Sequence, residues 1–267
     1  MDSVRTVSDT KREFYSLYTR PIDSIYRRVV EELLVEMHLL SVNADFSYDA
    51  IYALGVVTTF DRFMAGYRTD GERDAIFHAL CQATGRSVET YRSEATSLLH
   101  ALEGLSADDL KAAIAQTEDN HNALTELFGA LVQRKRIKYS RLFGIGVCTI
   151  IDTIAPDLAE KREEREALLA SLSQLLTLGG DKLQKDVDLY RSNLDKMQLA
   201  REAMADAVAA ERKKRDQRQA EIAAKQAETK AKTEAETEAE TEAIAGDAPT
   251  SPEDATVAPS AESDSES

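Results

Sequence analysis

Tryptophan is absent from this 267-residue chain, and glycine (11) and proline (5) are scarce. An all-β chain needs turn residues every ~8–12 positions, so the scarcity argues for helices. Cys81 and Cys148 are the only cysteines. Two thiols cannot make a disulfide framework, which suits a reducing compartment. Long apolar runs are missing too. The longest uncharged one, LFGIGVCTII from Leu142 to Ile151, is about half the ~20 residues that span a bilayer. No membrane crossing is expected, although peripheral attachment stays open. Positive charge is in deficit, with 33 Lys+Arg against 48 Asp+Glu and a net charge of −15. Phosphate would repel such a chain, which argues against nucleic acid as a partner. The N-terminus, MDSVRTVSDTKREF, lacks the apolar stretch of a signal peptide. Helical patterning from Thr10 leaves little room for a transit peptide.

The negative charge is segregated. Asp216 to Ser267 holds 14 acids and 4 bases, a net of −10, and the preceding residues carry −5. Lys232 to Glu242 reads KTEAETEAETE, and the last aromatic is Tyr190. Such a segment has too little apolar surface to offset its ordering entropy. The expected organisation is a helical domain over 1–181, a long C-terminal helix over 182–222 and a disordered acidic tail over 223–267.

Before the tail the pattern is helical. Thr10 and Glu13 have capping-box spacing. After Pro21, the positions Ile22, Ile25, Tyr26, Val29, Val30, Leu33, Leu34, Met37 and Leu40 trace an unusually broad apolar stripe. Further helices are expected over about 48–65, from an Asp70 cap to Gly85, over 88–102, from a Ser106–Asp109 capping box, and around Leu124–Leu131. The most apolar, Tyr139 to Ile154, is closed by Pro156, and one around Leu168–Leu176 is ended by Gly179-Gly180. The last ordered stretch changes period. Leu183, Val187, Tyr190, Leu194, Met197, Met204 and Val208 alternate at four and three, with Arg201 in the seam. That is a coiled-coil heptad, and the helix either lies on the domain or pairs with a partner or a second copy. The expected fold is an all-α multi-helix bundle with at least seven helices.

No catalytic constellation stands out. His38, His78, His100 and His121 are isolated from one another, and no HExxH or Cys/His cluster occurs. Cys81 and Cys148 lie on apolar helical faces and read as buried thiols. Gly144 and Gly146 precede no phosphate-loop lysine; small residues at that spacing permit close helix packing. Glu31, Glu32 and Glu36 beside His38 lack the Glu-x-x-His repeat of a di-metal bundle. The chain therefore reads as a non-enzyme with no cofactor and no metal. Two basic clusters remain as candidate partner or membrane surfaces: Arg134, Lys135, Arg136, Lys138 and Arg141, and then Arg212, Lys213, Lys214 and Arg215.

Five collinear stretches carry a resemblance: Thr6–Leu40, Tyr48–Tyr67, Glu72–Leu80, Lys138–Asp152 and Lys185–Met204. Together they resemble the thylakoid formation family, also described as photosystem II biogenesis proteins, of cyanobacteria and plastids, over about residues 6–215. The resemblance implies an all-α fold with a long C-terminal helix and a place on the thylakoid surface. It also implies a role in photosystem II assembly or repair, and association with an FtsH-type membrane protease or photosystem II assembly intermediates. Without a transit peptide, the expected setting is the cyanobacterial cytoplasm, peripheral to the thylakoid membrane. Motif positions expected to serve structure are Pro21, Tyr26, Gly55, Asp61, Tyr67, Tyr139, Ser140, Arg141, Gly146 and Tyr190. The rival reading is a helical pigment- or lipid-binding carrier.

Overall fold

Short polar side chains decide where the helices begin. The computed structural model describes residues 5–116, 121–134 and 137–245. Those residues form eleven α-helices and no strand: α1 (Val7–Leu17), α2 (Ser24–Ser41), α3 (Ala50–Phe63), α4 (Asp70–Ala83), α5 (Val88–Ala101), α6 (Ala107–Ala115), α7 (Ala123–Val132), α8 (Arg141–Ile154), α9 (Pro156–Glu160), α10 (Arg162–Leu175) and α11 (Lys182–Ala245). Thr6, Asp49, Thr69, Ser87, Ser106, Asn122 and Ser140 each accept a backbone N–H of the following turn. These bonds satisfy donors that a helix start leaves free.

Local details depart from the sequence reading. The first capping box is Thr6 with Asp9, one turn before Thr10. Thr10 is instead buried against α2, where its hydroxyl lies 2.8 Å from His38 Nδ1. Thr69, not Asp70, caps α4. Gly85 does close that helix, at φ +89°, with Arg86 N–H donating to the Cys81 carbonyl. α10 ends at Leu175, and Thr177 just beyond it takes φ +53°, before Gly179-Gly180 is reached. Pro156 opens α9 at a position where its missing N–H costs nothing.

At the centre, α3 crosses α8 with almost no space between them. A Cβ at Gly55 would fall 1.7 Å from the Leu142 carbonyl oxygen, and one at Gly146 2.0 Å from that of Ile51. The two glycines therefore seat each helix on the other's backbone. Around this crossing Phe60, Phe77, Leu54, Ile51, Leu34, Met37 and Phe14 are buried in one core.

The chain divides into two units, residues 1–202 and 203–267. The heptad seam of α11 serves the first. Leu183, Val187, Tyr190 and Met197 are buried in its core, and Arg201 donates to the Ala65 carbonyl at 2.6 Å. Met204 and Val208 are 52% and 67% exposed, as is every other described side chain from Ala203 on. The helical backbone continues to Ala245, past the tail boundary expected at 223. Alanine, glutamate, lysine and glutamine are strong helix formers, so local propensity persists where apolar patterning stops. Residues 246–267 of the expected tail lie outside the described residues.

Candidate functional site

The Tyr139-Ser140-Arg141 run makes the corner that launches α8. Ser140 Oγ accepts from Phe143 N at 3.1 Å. Arg141 donates through Nε and Nη2 to Glu36 Oε2 at 3.1 and 2.8 Å, and Leu142 N donates to Glu36 Oε1 at 3.2 Å. Glu36 thus caps α8 from α2 while neutralising its first residue. Tyr139 donates its hydroxyl to Asp186 of α11 at 2.8 Å, and burial with that carboxylate raises its pKa. One tripeptide ties α2, α8 and α11 together.

Two members of the first basic cluster are taken up by such contacts. Arg141 is held by Glu36, and Arg134 pairs with Asp49 at 2.9 Å. Burial raises the Asp49 carboxyl's pKa, although the N–H of Tyr52 and the guanidinium oppose that rise. Lys138 is exposed, and Lys135 and Arg136 lie outside the described residues. The second cluster differs. Arg212, Lys213, Lys214 and Arg215, with Arg218 one turn on, are all exposed and make no ion pair among the described residues.

The other motif residues hold the helical body. Asp61 takes a two-pronged pair from Arg92 at 3.0 Å, and Arg92 lies over the Phe77 ring. Tyr26 and Tyr67 meet edge to face at 5.0 Å beneath Arg68, which pairs with Asp23 just after Pro21. Tyr190 packs on Phe63, and the neighbouring Arg191 pairs with Asp152, which Arg62 also reaches. Burial pushes the Cys81 and Cys148 thiols up to about 12 and about 11, far from the thiolates that nucleophiles need. No group of three or more metal-ligating side chains occurs among the described residues.

One feature was not marked by sequence reasoning. A cleft of about 440 Å³ opens between α2, α8 and α11 in the first unit, floored by Leu33, Leu142, Ile145, Tyr190 and Met197. Its rim carries Arg28, Glu32, Asn193 and Lys196. A shallower depression continues it along α2 toward Leu39 and Leu40. The breadth of the α2 stripe was the available signal: Ile25 and Val29 belong to it yet stay half-buried, facing the cleft.

A family model described as Thylakoid formation protein matches residues 6–219. Among curated relatives, Protein Thf1 of Crocosphaera subtropica is 53% identical over 215 residues, covering 80% of this chain and 88% of that protein. Protein Thf1 of Nostoc sp. is 52% identical over 223 residues, covering 82% and 95%. The solved structure of Psb29 aligns with a TM-score of 0.68 at 42% identity, covering 79% of this chain and 98% of that one.

Proposed function

The chain belongs to the Thylakoid formation protein family, and from that membership we propose that it is a non-enzymatic factor in photosystem II assembly or repair and thylakoid biogenesis. It acts by binding, with an FtsH-type membrane protease or photosystem II assembly intermediates as partners. It does so from the cytoplasmic surface of a cyanobacterial thylakoid. No described helix is long and apolar enough to cross a membrane, which supports a reading of peripheral attachment.

The carrying observation is the unpaired cationic block Arg212–Arg215 with Arg218 on α11. Several arginines of the first unit are instead matched to carboxylates: Arg134 to Asp49, Arg141 to Glu36, Arg92 to Asp61. Five cations within seven residues, all exposed and without an ion pair among the described residues, supply what an anionic surface recognises, each contributing ~1 kcal/mol near such a surface. The block lies further along α11, the helix that also carries the core-packed Leu183–Met197 seam.

The test is affinity purification from thylakoid membranes followed by mass spectrometry, with wild type and a variant in which Arg212, Lys213, Lys214 and Arg215 are all glutamine. The variant is expected to melt like wild type and to lose the membrane partners. Equal recovery of the protease and photosystem II proteins by both would overturn the assignment of this block. The carrier reading draws on the cleft beside α2. A stoichiometric pigment in protein purified from its own cells would favour it.

A further inference from the structure

We propose that the cleft between α2, α8 and α11 binds a single-chain amphiphile with an anionic head, a long-chain carboxylate, its chain on the apolar floor and its head at Lys196. The inference goes beyond the partner-binding role and rests on a different surface, so either can fail without the other.

The charge pattern of the rim is specific. Three carboxylates line the cleft and its continuation, and each is already matched. Glu31 accepts from Lys11 at 3.3 Å and from the Tyr15 hydroxyl at 3.0 Å. Glu32 accepts from Arg28 at 2.8 Å. Glu36 is taken by Arg141 and by the backbone of α8. Lys196 makes no ion pair among the described residues, and the positions three and four away on its helix are Ser192, Asn193, Leu199 and Ala200, none of them acidic. It is the cation left over, with the Asn193 side chain beside it on the same rim.

Below that rim the surface is apolar and not fully covered. Ile25, Val29 and Phe63 are only half-buried, and Leu142, Ile145 and Met197 complete the trough. A volume of about 440 Å³ falls within the ~300–1,000 Å³ typical of small-molecule sites. One uncompensated positive charge at the edge of an apolar trough suits a one-headed amphiphile. A bound helix would instead use several apolar anchors at helical spacing.

The experiment titrates the full chain with dodecanoate and with neutral 1-dodecanol, below their aggregation concentrations, by calorimetry. Both are expected to bind once per chain, dodecanoate more tightly. Lys196→Met keeps the apolar stem and removes the charge. It should weaken dodecanoate about tenfold, the scale of one charge-assisted contact, and leave dodecanol unchanged. Ala200→Leu, which fills the cleft from α11 with a good helix former, should weaken both. Absence of saturable binding would overturn the proposal and leave the cleft to a partner's helix. So would Lys196→Met altering both ligands equally or neither, or Ala200→Leu leaving both unchanged.

Discussion

Glu36 lies 18% exposed at its side chain and serves Arg141 and the Leu142 N–H at once. Its loss strands a cation and a helix-start donor together. Glu36→Ala should therefore destabilise the fold by about 1–3 kcal/mol, and Glu36→Gln, which keeps an acceptor for Leu142, by less. Arg141→Ala should exceed the ±0.5 kcal/mol usual for exposed positions. Denaturant melts of the two single variants and the double would show non-additivity if the pair acts as a unit. His38 gives a pH signature. Burial, with Arg5 nearby, holds its imidazole below the ordinary 6.5 against the pull of Asp9. In the window below 6.5 the unfolded chain then binds more protons than the folded one, so stability falls as pH falls through it. His38→Gln should flatten that part of the stability-against-pH curve. An unchanged slope in denaturant melts between pH 7 and about 5 would place the titration elsewhere.

Helix contacts depend on which atoms a new side chain would meet. Gly55→Ala drives a methyl into the backbone of α8, where neither rigid helix can yield, and should cost more than about 2 kcal/mol. Gly129→Ala in α7 meets nothing within 4 Å and should raise stability by about 0.5–1 kcal/mol through the unfolded chain's lost freedom. Thr177 is a β-branched residue at positive φ closing α10. Thr177→Gly should stabilise by about 1 kcal/mol by relieving that conformation. Thermal melts of the three variants order these effects: down, up, up. The Gly-x-Gly spacing in the sequence announced close packing. Which glycine met backbone, and which met side chains, as Gly144 meets Tyr139 and Leu183, depended on the partner helix.

Residues 1–202 hold a packed helical core, and every described side chain from Ala203 on is exposed. Deleting 216–267 should leave the melting temperature nearly unchanged, because every described side chain from 216 onward is exposed. The same deletion removes 14 acids and 4 bases from beside Arg212–Arg215. Binding to anionic vesicles should therefore strengthen and stay salt-sensitive, since such attraction decays over ~8 Å at physiological salt. A flotation assay in which the shortened protein binds no better, or in which binding survives high salt, would count against an electrostatic attachment.

The sequence alone determined what is local or periodic. Helical class follows from the 3.6-residue patterning, and the Ser106–Asp109 box and the Gly85 stop from residues within one turn. The broad stripe of α2 and the heptad of α11 were equally legible, as was family membership from collinear stretches. Arg141 could be marked as a structural motif position from the resemblance. That Glu36, 105 residues earlier, holds it could not be read. Only the tertiary structure decided such matches, because they join residues whose separation along the chain carries no information about their distance in space. The cleft is of the same kind. Its floor comes from α2, α3, α8 and α11, each with an ordinary amphipathic face, and the hollow exists only because those faces, once assembled, do not fully cover one another.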